Sequence, residues 1–269
     1  MELHYTVAAQ TDAGISKSIN QDSLMVKVLS IHGIEAAFAV ICDGMGGLEQ
    51  GEIASAVVVK SFEQWYLKSF PTFLETAESL AELEQVWKEL IDDCNMRIID
   101  YGSKSKAPMG TTLTLLLLFN GLYFISHVGD CRVYRLSQDI TQLTKDQTYV
   151  AREVELGHMT PEQAENDSRR NVLLQCIGTG KHIEPEFQYG ETRVGETFLI
   201  CSDGFRHRLT QKEIYMNCHK ELLGLDWCVE KRYENTDKVN KQLRELIELN
   251  KKRMETDNIS VILMKVTDR

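Results

Sequence analysis

Apolar positions come in short alternating runs near the start of the chain and at three- and four-residue spacing further on. Tyr5, Val7 and Ala9 are separated by Thr6 and Ala8 in the two-residue rhythm of a half-buried strand, and residues 24–29 form a second short apolar stretch. Residues 34–41 read as a third strand, which runs into Asp43-Gly44-Met45-Gly46-Gly47. Glycine admits backbone angles that other residues resist, so this run predicts a tight loop at a strand end. From 53 to about 70, and again from about 76 to 101, the period changes. Leu80, Leu83, Val86, Trp87, Leu90 and Ile91 recur as on one face of a helix.

Residues 113–119 and 122–127 flank Asn120-Gly121, the dipeptide best suited to a type I′ turn, and predict a hairpin. A strand over 131–136 is expected to continue that meander. The β pattern breaks from about 146 to 182, where two short helical pieces are expected. The second opens at Thr160-Pro161-Glu162-Gln163, with Thr at the cap, Pro at the first helical position and Gln three residues after the cap. Strands are expected again at 184–189 and 196–201, helices at about 210–218 and 236–254, and a last strand at 258–266. Blocks of strands set apart from blocks of helices argue for antiparallel sheets with helices packed outside. The expected fold is therefore α+β, an αββα four-layer sandwich of two antiparallel sheets. Without a repeat, low-complexity tract or linker, residues 1–269 read as one domain.

Composition narrows the partners. A formal net charge of −10, with no dense Lys/Arg run, argues against nucleic acid and anionic membrane. Seven cysteines with no CxxC pair do not resemble a disulfide framework and fit a reducing cytoplasm. The first residues lack the plan of a signal peptide, and no apolar run approaches the roughly 18–20 residues that span a bilayer. A soluble, cytoplasmic protein is expected.

Asp43, Asp203 and Asp257 each stand at the boundary of an apolar strand, in Cys42-Asp43-Gly44, Ser202-Asp203-Gly204 and Asp257-Asn258-Ile259. Such positions can converge on one sheet edge, where hard divalent cations would find the oxygen ligands they prefer. Each alone is equally an ordinary polar turn.

The ordered set is more specific. Asn20-Gln21-Asp22, Asp43-Gly44-Met45-Gly46-Gly47, Gly110-Thr111-Thr112, Val128-Gly129-Asp130-Cys131-Arg132, Leu143-Thr144-Lys145-Asp146, Ser202-Asp203-Gly204 and Asp257-Asn258-Ile259-Ser260 resemble, in order, the motifs of the type-2C metal-dependent protein phosphatases. The likeness covers nearly the whole chain and is greatest to the bacterial branch. The 146–182 segment resembles that branch's flap.

The resemblance implies hydrolysis of phosphoserine and phosphothreonine in proteins by water activated between two Mn²⁺ or Mg²⁺ ions. Asp43 would bridge the ions, the Gly44 carbonyl would bind one, and Asp203 and Asp257 the other. Asp22 would act through water, and Asp130 would help hold a third, weaker ion. Lys17 falls where the family usually has a phosphate-binding arginine. The partners implied are phosphorylated proteins and a cognate Ser/Thr kinase, and the oligomeric state is left open.

Departures accompany the likeness. Lys17 lacks the guanidinium fork, Gln21 replaces a glutamate common in eukaryotic relatives, and Met45, where those relatives carry histidine, cannot give a proton. Gln175 stands where arginine is frequent. Cys42 and Cys201 read as core residues, the seven histidines as structural or surface groups, and Ser202 lacks the GxSxG context of a hydrolase nucleophile. Arg206 and Arg208 are balanced between contact with an anionic substrate and solvated surface. A phosphatase-like protein without turnover, and a hydrolase of small phosphorylated metabolites, are the competing functions.

Overall fold

Side-chain alternation decides the layering. In the strand that ends at Cys42, Ala37, Ala39 and Ile41 face one apolar cluster, while Phe38, Val40 and Cys42 face another. A strand buried on both sides lies inside a stack of layers rather than at its surface. The computed structural model describes residues 2–45, 50–76 and 79–268. Gly46 and Gly47 of the predicted loop lie outside the described residues, as do 77 and 78 near the start of the second predicted helix.

The elements run β1 (His4–Asp12), β2 (Ser23–Ile31), β3 (Ile34–Cys42), α1 (Gly51–Lys68), α2 (Phe70–Glu75), α3 (Leu80–Ser105), β4 (Leu113–Phe119), β5 (Leu122–Val128), β6 (Arg132–Leu136) and β7 (Ile140–Gln142). They continue with α4 (Tyr149–Glu155), α5 (Pro161–Asn166), β8 (Glu186–Glu191), β9 (Thr197–Cys201), α6 (Asp203–Arg206), α7 (Gln211–Cys218), α8 (Arg232–Lys252) and β10 (Ile259–Thr267). One antiparallel sheet has the order β1-β10-β9-β6-β7 and the other β2-β3-β4-β5-β8. The expected layers are therefore present. Between the sheets lie Tyr5, Ile41, Leu116, Phe198, Ile262 and their neighbours. Phe62, Trp65 and Trp87 of α1 and α3 pack on Phe38 across the outer face of one sheet. Val239, Leu243 and Leu246 of α8 pack with Leu199 and Leu263 on the outer face of the other.

Local signals hold where backbone chemistry forces them. Asn120 and Gly121 take φ 48° and 77°, the left-handed pair that a type I′ turn requires. Thr160 and Gln163 close a reciprocal capping box at the start of α5. All seven cysteines are unpaired, and Cys42 and Cys201 are buried in the two outer cores.

One expectation is corrected. Residues 132–136 do not extend the β4–β5 meander: β6 pairs with β9 and β7, and the second neighbour of β5 is β8. The chain changes sheets at Gly129, whose φ of 111° is open to glycine and strained for other residues. A Cβ there would stand 2.5 Å from Thr112 Cγ2. Among the described residues no helix is long and apolar enough to cross a membrane.

Candidate active site

The motif segments are tied to one another by backbone hydrogen bonds at one edge of the sandwich. Gly44 N–H donates to the Gln21 carbonyl and Met45 N–H to that of Gly110, at 3.1 Å each. Asp43 N–H donates to Thr112 Oγ1, while the Asp43 carbonyl accepts from Thr111 Oγ1 and Thr112 N–H, all at 2.9 Å. Gln21 N–H donates to Asn258 Oδ1, and Asn258 Nδ2 returns a bond to the Ala13 carbonyl. Gly204 packs so closely on this last turn that a Cβ would lie 2.1 Å from the Asn258 carbonyl oxygen. These contacts bring together aspartates remote in sequence. Asp22 and Asp43 lie at ends of β2 and β3 in one sheet, Asp203 and Asp257 at ends of β9 and β10 in the other. Asp130 lies at the crossing between the sheets.

Their proton affinities report the assembly. Burial, followed by repulsion from Asp22, Asp203, Asp130 and Asp257, holds the Asp43 carboxyl well above its ordinary range. Asp22 is pushed up to about 7 by burial and by Asp203 and Asp257. The hydroxyls of Ser260 and Ser202 oppose that rise, but neither closes a hydrogen bond to the carboxylate. Asp130 is likewise pushed up to about 7, by burial and Asp203, with Arg206 opposing.

Such a site is costly as a set of bare anions and favourable around a cation. Both Asp22 carboxylate oxygens and Asp203 Oδ1 are buried without a donor, surroundings that a cation would satisfy. Among the described residues no three His, Cys, Asp or Glu side chains are drawn in around a common point as a finished coordination group. The carboxylates are gathered, those of Asp22 and Asp203 with oxygens left unpaired, and the all-oxygen donor set fits Mn²⁺ or Mg²⁺.

Lys17 reaches this edge, with Nζ 3.4 Å from Asp257 Oδ1. Gly44 sits in a one-residue bridge to Thr111. Asp146 has a separate role: Arg132 grips it with two hydrogen bonds of 2.8 and 2.7 Å, joining β6 to the start of the flap; burial raises its carboxyl, but Arg132 and Arg206 together outweigh it and hold it low. Gln175 ties the far end of the flap, bonding Gln147 Oε1 and the Glu184 carbonyl.

Arg206 is not solvated surface. Its Nη2 lies 3.6 Å from Asp130 Oδ2 and 3.4 Å from Asp146 Oδ2 in a largely buried setting. Arg208 is half exposed and faces Glu255 at 3.6 Å. Two residues had no sequence signal for the site, His207 and Glu255. Burial lowers the proton affinity of the His207 imidazole, but Glu255 and Asp203 outweigh it and the net shift is upward. The one cue was position, since His207 follows Asp203 by four residues and Glu255 precedes Asp257 by two. His127 is structural as expected, buried between Thr114 and the Lys145 carbonyl.

A family model described as protein phosphatase 2C matches residues 10–248. The chain belongs to the protein phosphatase 2C family. Among its relatives, the serine/threonine protein phosphatase PstP of Mycobacterium tuberculosis is 28% identical over 264 residues, which is 97% of this chain and 45% of that protein. This phosphatase 2C chain thus spans about half the length of that mycobacterial relative. The crystal structure of serine/threonine phosphatase Stp1 from Staphylococcus aureus matches with a TM-score of 0.79 and 25% identity, covering 98% of this chain and 97% of the other. The catalytic domain of PstP in complex with two manganese ions matches with a TM-score of 0.74 and 28% identity, covering 99% and 100%.

Proposed function

We propose that this chain is a metal-dependent protein phosphatase that hydrolyses phosphoserine and phosphothreonine, with residues 1–269 acting as one catalytic domain. The observation that carries the reading is the meeting of Asp22, Asp43, Asp130, Asp203 and Asp257 at one edge, with buried carboxylate oxygens that lack any donor. Asp43, the Gly44 carbonyl, Asp203 and Asp257 would hold two Mn²⁺ or Mg²⁺ ions, with Asp22 acting through water. Bound there, divalent cations supply Lewis-acid chemistry, acidifying water and offsetting charge on phosphoryl oxygens. A third ion at Asp130 would share its place with the Arg206 guanidinium.

The protein's own groups orient the reaction. Lys17 offers a positive charge beside Asp257 and would meet a phosphoryl oxygen as a point charge rather than a fork. The hydrogen bonds through Thr111, Thr112 and Asn258 hold the acidic turns in place before substrate arrives. The unpaired thiols support a reducing cytoplasm as the place of action. Substrate proteins would be supplied by a Ser/Thr kinase.

The test is hydrolysis of p-nitrophenyl phosphate and of a phosphothreonine peptide by the native chain and by Asp203→Asn, with Mn²⁺ or with EDTA. Turnover that requires Mn²⁺ and falls by at least about a hundred-fold in Asp203→Asn is expected. Activity surviving both chelation and substitution removes the proposal. Turnover of small phosphorylated metabolites far above that of the peptide would redirect it to that substrate class.

A further inference from the structure

The imidazole of His207 stands between two buried carboxylates. Nε2 is 3.5 Å from Asp203 Oδ2, and Nδ1 is 3.6 Å from Glu255 Oε2. His207 N–H also donates to the Asp203 carbonyl and closes the single turn of α6. Glu255, only 3% exposed, is committed on its other side: Oε1 accepts the N–H groups of Thr256 and Asp257 at 2.8 and 3.0 Å. Neither approach of the imidazole closes a hydrogen bond, and Glu255 Oε2 has no hydrogen-bond partner among the described residues. The line from Asp203 through His207 to Glu255 is thus one of close charged approaches that continues by hydrogen bonds into the turn carrying Asp257.

The two oxygens of Asp203 have different surroundings. Oδ2 faces the imidazole, whereas Oδ1 is buried and has no donor. We propose that His207 is a positioning residue for the acidic cluster. By facing Oδ2 it leaves Oδ1 for a cation, and by its approach to Glu255 it orients the Asp257 turn relative to Asp203. The inference deepens the metal-dependent phosphatase reading and rests on it. A ligand carboxylate whose second oxygen is already held loses less orientational freedom on binding, and removing such a support commonly weakens metal affinity 10- to 100-fold. A histidine serving only the fold would instead move stability and leave affinity alone.

Calorimetric titration of Mn²⁺ into the metal-free full chain separates these roles, with the native protein compared with His207→Ala, His207→Gln and Asp203→Asn. Urea unfolding in EDTA is measured alongside. His207→Ala should weaken Mn²⁺ binding by roughly ten-fold, and His207→Gln, which keeps one N–H donor, by less. The urea midpoint in EDTA should change little. Native affinity in His207→Ala, with binding lost in Asp203→Asn, overturns the positioning role while leaving the metal site intact. Full Mn²⁺ binding in Asp203→Asn defeats the site itself. Should His207→Ala fail to fold, His207→Gln alone decides: a several-fold loss supports the proposal, and native affinity ends it.

Discussion

At the scale of single residues, charge chemistry was readable in kind more than in partner. Asp43, Asp203 and Asp257 drew notice because each borders an apolar strand, but the ordered motifs of the family resemblance were needed to single them out, with Asp22 and Asp130. His207 and Glu255 were not legible, since a histidine four residues after an aspartate has no meaning until the chain turns there. Lys17 was singled out by the family resemblance, and its Nζ lies 3.4 Å from Asp257 Oδ1. Its flexible ammonium should support substrate binding more than the chemical step. Lys17→Ala is expected to raise KM for a phosphopeptide several-fold with a smaller effect on kcat, and Lys17→Arg, which restores bidentate geometry, to lower KM below native. Steady-state kinetics at saturating Mn²⁺ check both; unchanged constants in Lys17→Ala would take this side chain out of the site.

At the scale of elements, patterns fixed by local backbone chemistry were read correctly and those fixed by partners were not. The Asn120-Gly121 hairpin and the capped start of α5 needed only neighbouring residues. The three-residue β7 and single-turn α6 are too short for a period to show, and α8 starts at Arg232 rather than near 236. Arg232 extends that helix while donating to both oxygens of Glu35, across 197 residues of chain. The expected meander failed because the change of sheet depends on one dihedral angle. Gly129→Ala should therefore destabilise the fold by on the order of 1–3 kcal/mol, from the disfavoured φ and the overlap with Thr112. Urea denaturation measures it, and a loss under about 0.5 kcal/mol, the range of ordinary surface changes, would mean that the crossing relaxes freely.

At the scale of the whole molecule, the layers followed from the order of strand and helix blocks, whereas the pairing of β1 with β10 is a non-local outcome. The acidic edge also has a collective effect. Asp22 and Asp130, with folded values of about 7, and Asp43, raised well above its ordinary range, bind more protons when folded than when unfolded across the range from about 4 to 7. Their favourable contribution is complete below the unfolded carboxylate range and disappears as pH rises through 7. His127, held near 4 mainly by burial, acts in the opposite sense and loses stability as pH falls from about 6.5 toward 4. The informative comparison is therefore between metal-free and metal-loaded protein. In EDTA the urea midpoint should drop between pH 5.5 and 7.5 on account of these carboxylates, an order-of-magnitude window from the same linkage. Saturating Mn²⁺ should abolish that drop and release protons on binding. Parallel profiles with and without Mn²⁺ would show that the carboxylates do not meet the ion.

The pairing of β1 carries a consequence for biogenesis. Within its sheet it touches β10 alone, and His4 lies opposite Thr267, 263 residues away. During synthesis β1 is made well before the strand it pairs with, and Asp257 emerges only just ahead of that strand. A chain cut short ahead of Asp257 and β10 thus lacks both the closed sheet and that aspartate, so on the function proposed above it would be unable to assemble the acidic edge.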